Sequence, residues 1–265
     1  MSAIRFEHVS KSFDQNTILQ DFSMDVQRAE TKVILGGSGS GKTTILKMVL
    51  GLIKPDSGRV YVEKQNITDL SEEKLRWIRK KIGMVFQEGA LFDALSVGEN
   101  VAYRMRESGI QNHREIQHKV RELLGFVGLK DAINKLPTEL SGGMQRRVGI
   151  ARALVGNPPI LLYDSPTGGL DPITSRTICE LVMKLRDLEG VSSIFVTHDL
   201  KSAMILATEF AELQANGTVV FKHKNQNHHL INTRFLMLKN GRVLFDGDAD
   251  ALKSTKIEYI REFLI

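Results

Sequence analysis

Residues 36–43 read GGSGSGKT. This is the spacing of a phosphate-binding loop: Gly, four residues, Gly, Lys, then Ser or Thr. Each residue type has a task in that chemistry. Gly36, Gly37, Gly39 and Gly41, interleaved with Ser38 and Ser40, let the backbone turn several N–H groups into one concavity. Lys42 is spaced to reach β- and γ-phosphates, and Thr43, followed by Thr44, to hold Mg²⁺ through its hydroxyl. The apolar run at 32–35 reads as a buried strand. Residues 42–50 read as a helix whose start adds partial positive charge. A glycine-rich connector would leave Lys42 unexplained.

Other polar residues fall at the ends of apolar runs. Asp164 closes PILLYD, and a carboxylate at the C-terminal edge of a buried strand suits Mg²⁺. Gln87 follows the run 82–86, and Thr197-His198-Asp199 follows the run 193–196. Phe13 precedes the loop; it suits either stacking on a base or packing on a sheet.

These residues need elements to hold them. Residues 4–9 and 22–26 alternate apolar and polar and predict strands joined by a turn at 14–16. A strand carrying Val60 and Val62 follows the turn at 54–58. A helix is expected over 71–81, acidic at its start and basic at its end; Trp77 on it reads as packing. Helices are expected at 97–107, 113–127 and 142–155, and the charged stretch 104–121 reads as a solvated face. Residues 172–188 form another helix, with Pro172 in its first turn. Asn216-Gly217 and Asn240-Gly241 each predict a hairpin. His223, His228 and His229 raise metal binding, but no ligand-spaced Cys or carboxylate accompanies them, so an exposed loop is expected. Residues 248–265 read as one amphipathic helix burying Leu252, Ile257, Ile260 and Phe263.

The 265 residues carry a net charge of +5 with the basic residues scattered. That permits an anionic partner without demanding one. No apolar run approaches the roughly 18 residues of a membrane span, and the first ten residues lack a signal-peptide pattern. The single Cys179 makes no intrachain disulfide, which suits a reducing cytoplasm.

In order, the motifs are the loop at 36–43, Gln87, LSGGMQ at 140–145, Asp164, Leu170-Asp171 and His198. The set resembles the ATP-binding subunit of ABC transporters, and the resemblance spans essentially the whole chain. It implies an α/β P-loop NTPase fold with an antiparallel β subdomain and an inserted α-helical subdomain. The expected division is a nucleotide-binding core over 1–88 and 157–265 and a helical subdomain over 89–156. It also implies a head-to-tail homodimer with ATP and Mg²⁺ between the loop of one copy and the signature of the other. Ser141, Gly142, Gly143 and Gln145 would then face the partner's γ-phosphate. Asp171 would bridge the copies, Gln87 would touch Mg²⁺ and water, His198 would contact the γ-phosphate, and Phe13 would stack on adenine.

Residues 89–97 and 171–174, and the C-terminal stretch 259–264, are similar to ATPases of Mla-type lipid transporters. Such ATPases work with two permease subunits and a lipid-binding protein of the MCE (mammalian cell entry) type. This implies phospholipid transport and a peripheral place on the cytoplasmic face of the inner membrane. Leu91, Phe92 and Leu95 would form a socket for a permease helix, or else an internal contact.

Two departures stand out. Where the family pattern has Glu after the strand-end Asp, this chain has Ser165. A carboxylate is a competent base and a serine hydroxyl is not, a difference on the order of 10²–10⁴ in rate. Hydrolysis is then slow but sufficient, or Glu88 substitutes, or the serine is a replacement that traps ATP. Second, residues 208–232 read as an inserted hairpin, either a contact surface or decoration. Three further functions compete. One is a non-hydrolysing ATP-gated subunit, and another is the ATPase of a small-solute importer. The third, an ABC ATPase acting on nucleic acid, lacks the second cassette or long coiled coil it would need, so no nucleic-acid partner is expected.

Overall fold

The computed structural model describes residues 2–223 and 231–263. The chain opens with β1 (Ser2–Phe13), β2 (Asn16–Gln27), β3 (Thr31–Leu35), α1 (Lys42–Val49), β4 (Ser57–Val62), β5 (Gln65–Asn66), α2 (Glu72–Lys80) and β6 (Ile82–Val85). Helices α3 (Val97–Glu107), α4 (His113–Phe126) and α5 (Gly142–Ala153) follow, then β7 (Ile160–Asp164), α6 (Pro172–Asp187), β8 (Ser192–Thr197) and α7 (Leu200–Thr208). The C-terminal part comprises β9 (Glu209–Leu213), β10 (Val219–His223), β11 (Thr233–Lys239), β12 (Arg242–Gly247), α8 (Ala249–Ser254) and α9 (Glu258–Phe263).

The expected combination of an antiparallel and a largely parallel sheet with helices is present. One sheet runs β2-β1-β4-β5 and is antiparallel. The other runs β12-β11-β3-β8-β7-β6, parallel except where β12 turns back on β11. Every side chain of β3 is buried, as befits a strand covered on both faces. Ile34, Leu162 and Ile194 pack with Phe6, Phe22 and Ile45 toward the antiparallel sheet and α1. Val33, Leu161 and Phe195 pack on the opposite side with Val148, Ile178 and Leu206 of the helical layer. Lys32 is the charged exception within β3, and its ammonium lies between Glu30 and Asp246.

The order of the parallel strands positions the site. Leu35 is in register with Thr197, Val196 with Asp164, and Tyr163 with Val85. The residues that follow β3, β8, β7 and β6 therefore emerge side by side along one sheet edge, where parallel sheets hold ligands.

Three expectations change. The C-terminal segment is not one helix. Thr255 takes an extended conformation between α8 and α9, and its hydroxyl accepts the Ile257 N–H. Leu252 and Ile260 are nonetheless both fully buried. Trp77 is not core packing: it is 64% exposed, with the Lys80 ammonium 4.2 Å above its ring. Arg104 is not on a solvated face, because its guanidinium donates to the carbonyls of Ile82, Arg79 and Lys80.

Both Asn-Gly turns form hairpins. Asn240 and Gly241 take φ of 50° and 73°, as a tight two-residue connection requires. The β9–β10 hairpin rests on α6, where Arg176 donates to Glu209 and Lys184 covers the Phe221 ring. Among the described residues no group of three or more His, Cys, Asp or Glu is placed to hold a metal. His228, His229 and Leu264 lie outside the described residues.

Candidate functional site

The loop after β3 turns sharply because Gly39 and Gly41 take φ of 75° and 96°. A Cβ on Gly41 would lie 3.0 Å from the Ile18 side chain, so glycine is needed for space as well. Lys42 opens α1, and its ammonium donates to the carbonyls of Gly36 (2.8 Å) and Gly37 (2.7 Å) and to Ser40 Oγ (3.3 Å). Burial holds this ammonium below the usual lysine range, and nearby Asp164 opposes the shift.

Thr43 Oγ1 donates to Asp164 Oδ2 at 3.0 Å. A hydroxyl and a carboxylate so close are hard oxygen donors of the kind Mg²⁺ takes together with water and phosphate oxygens. The residues therefore fit that ion, completed by a phosphorylated ligand.

Ser38, Gly39, Ser40, Gly41, Lys42, Thr43 and Thr44 line one cleft of about 690 Å³ with Phe13, Ile18, Gln87, Asp164, Ser165 and His198. Phe13 is 43% exposed and stands at this cleft with Lys11 over its ring, so it does not pack flat on the sheet. Ser165 follows β7 with φ of 48° and donates its N–H to the Val196 carbonyl. His198 and Gln87 are exposed. Glu88 is outside the cleft lining and influences Arg146 electrostatically.

The LSGGMQ residues lie elsewhere. Ser141 caps α5 and accepts the Met144 N–H. Ser141 and Gly142 are exposed, and neither they nor Gly143 line the cleft of their own chain. Gly143 is buried against α6, and a Cβ there would overlap the Thr174 methyl. Gln145 turns back, donating to the carbonyls of Pro137 and Leu140, and so braces the approach to α5. Asp171 caps α6 through the N–H groups of Ile173 and Thr174, and the hydrogen bonds from Thr174 hold its carboxyl below the usual range.

Residues 89–97 border a second depression, a groove of about 930 Å³. Of the three apolar residues expected there, only Phe92 lines it; Leu91 packs against the core and Leu95 is half-buried. Trp77, Met84, Phe86 and Tyr103 supply the other apolar surface, and Arg76, Arg79, Lys80, Arg104 and Arg152 outnumber Glu73 and Glu107.

Asn100, which no sequence motif marks, holds this segment. Its amide is fully buried, accepts the Phe92 N–H and donates to the carbonyls of Phe92, Leu95 and Ser96. The available signal was an Asn on the inward face of a helix with Val97, Val101 and Met105. Asn100→Ala is expected to destabilise the chain by about 1–3 kcal/mol, because it leaves buried backbone groups unpaired. Urea unfolding checks this, and an unchanged midpoint would contradict it.

Comparison with known proteins gives consistent matches. A family model described as ABC transporter matches residues 19–168. The methionine import ATP-binding protein MetN 2 of Rhodococcus jostii (strain RHA1) is 41% identical over 82% of the chain and 64% of its own length. The probable ribonucleotide transport ATP-binding protein mkl of Mycobacterium leprae (strain TN) is 36% identical over 83% of the chain and 63% of its own length. The chain thus spans less than two thirds of the length of these two relatives. Among solved structures, a dimeric ATP-binding cassette in a post-hydrolysis state with ADP and Pi superimposes with a TM-score of 0.77 at 32% identity, covering 92% of this chain and 98% of its own. The cbiO1 protein of Clostridium perfringens, part of the ABC transporter complex cbiONQ, gives a TM-score of 0.79 at 28% identity over 98% of this chain and 94% of its own.

Proposed function

Since this chain belongs to the ABC transporter family, we propose that it is the ATP-hydrolysing subunit of a membrane transporter, working as a head-to-tail homodimer. One observation carries the reading. The cleft gathers Lys42, Thr43, Gln87, Asp164, Ser165 and His198, while the N-terminus of α5 is exposed and lies outside it. A second copy would bring its own Ser141, Gly142 and Gly143 against the γ-phosphate, which a helix start suits.

The chemistry is attack of water on the γ-phosphorus as its bond to the β–γ bridging oxygen breaks, with ADP leaving and the water's proton passing to an oxygen of the released phosphate. The loop N–H groups and Lys42 hold the phosphates, and Phe13 takes the base. Thr43, Asp164 and Gln87 would hold Mg²⁺, which when bound neutralises charge on the β- and γ-oxygens. His198 lies on the γ-phosphate side, where it orients the water. Ser165 takes no proton from it, so positioning and charge stabilisation supply most of the rate.

Among the described residues no helix is long and apolar enough to cross a membrane. Coupling to a permease therefore runs through a surface, and the groove beside Phe92 and Trp77, apolar and net basic, suits an amphipathic helix carrying carboxylates. For the cargo, the likeness of residues 89–97 and 171–174 to Mla-type ATPases supports lipid, with two permease subunits and an MCE-type protein as partners and this chain peripheral on the cytoplasmic face of an inner membrane. The relatives' names favour a second reading, a small-solute importer. Purification of the transporter through this chain discriminates them. A permease with an MCE-type protein supports lipid; a small soluble binding protein overturns it in favour of a solute.

A further inference from the structure

Arg146 lies on α5 and is 8% exposed. Its guanidinium meets two segments outside its own helix. Nε donates to the Gln87 carbonyl at 2.5 Å, and Nη2 donates to the Gly168 carbonyl at 2.6 Å. Nη1 lies beside Gly142, whose added Cβ would be 3.9 Å from it. Gln87 belongs to the chain's own cleft. Gly168 ends the turn that starts at Ser165, and its N–H is bonded to the Ser165 carbonyl at 3.1 Å. Gly142 opens α5 and does not line that cleft. A Met or Leu would occupy similar space without desolvating a charge. What arginine adds is a rigid planar fork that fixes the spacing of two carbonyls.

We propose that Arg146 is a positioning residue that locks Gln87 and the turn after Ser165 to the signature helix, so that ATP in a chain's own cleft sets the pose of the α5 N-terminus at its partner's. The inference rests on the dimeric ATPase reading above. It explains why one buried guanidinium, carried by the helix whose start serves the other site, donates to the backbone of both cleft loops. The two ATP sites then close together, and the fork, not charge alone, is required.

The test uses the full chain with R146M and R146K. A fluorescent ATP analogue titrated into dilute protein reports single-chain binding, and sedimentation velocity at rising Mg·ATP reports pairing. The expected result is analogue affinity within about twofold of the unaltered chain, with the ATP concentration for half-maximal pairing raised about tenfold in both variants. The dependence of hydrolysis on ATP concentration also loses its cooperativity. Retained analogue binding shows that each variant is folded; if R146M does not fold, R146K alone decides. If the unaltered chain pairs and R146K pairs equally well, this inference falls alone. If the unaltered chain does not pair with ATP, the dimeric reading falls and takes the inference with it.

Discussion

Ser165→Glu is expected to raise ATP turnover by the purified chain on the order of 10²–10⁴-fold, the range a positioned general base contributes. The residue lines the cleft with Lys42, Gln87, Asp164 and His198, so a carboxylate there would face the same space as the γ-phosphate and its water. The backbone tolerates the change. Ser165 already occupies the left-handed region at φ of 48°. Serine bears that cost of roughly 1–2 kcal/mol as fully as glutamate would, because both carry a Cβ. Its N–H bond to Val196 does not involve the side chain. Phosphate release at saturating ATP measures the effect. Unaltered turnover would mean that position 165 does not limit the chemistry, and Glu88→Gln would then be the next substitution to measure.

Lys42→Ala is expected to weaken Mg·ATP binding about 10–100-fold, since a charge-assisted bond is worth roughly 1.5–3 kcal/mol, and to bring turnover to background. The ammonium is held over the loop by the carbonyls of Gly36 and Gly37, so the side chain already lies on the loop proposed to hold the phosphates. Burial shifts its pKa downward from the lysine value of 10.5. Nucleotide affinity should therefore fall with rising pH, and at a lower pH than an ordinary lysine would give. Calorimetric titration at a series of alkaline pH values checks both statements. An alanine variant that binds as tightly as the unaltered chain would remove Lys42 from the site.

Much of this site was legible because its motifs are local. Residues 36–43 carry their own spacing, and Asp164 and His198 each sit at the end of an apolar run whose strand the sequence marks plainly. Their convergence follows from the strand order β3-β8-β7-β6. Contacts made across long sequence separations were not legible. Arg146 reaches Gln87 and Gly168 from a different element, and Arg104 reaches the carbonyls at the end of α2. Arg104 read as one charge of a solvated stretch and Arg146 drew no reading, because nothing in their neighbours names a backbone acceptor. Trp77 failed for the opposite reason: aromatic residues are usually buried, and only the structure shows it exposed along a basic groove. The break between α8 and α9 turns on a single threonine hydroxyl capping its own bend, which apolar periodicity does not register.

If each ATP site is completed by a second copy, nucleotide must set the chain's oligomeric state, which sedimentation velocity of the full chain reads. With Mg²⁺ and ATP the chain should sediment as a dimer, one that decays slowly if a serine at position 165 leaves hydrolysis without a general base, and with ADP or no nucleotide it should sediment as a monomer. A chain that remains monomeric at saturating ATP would contradict the account.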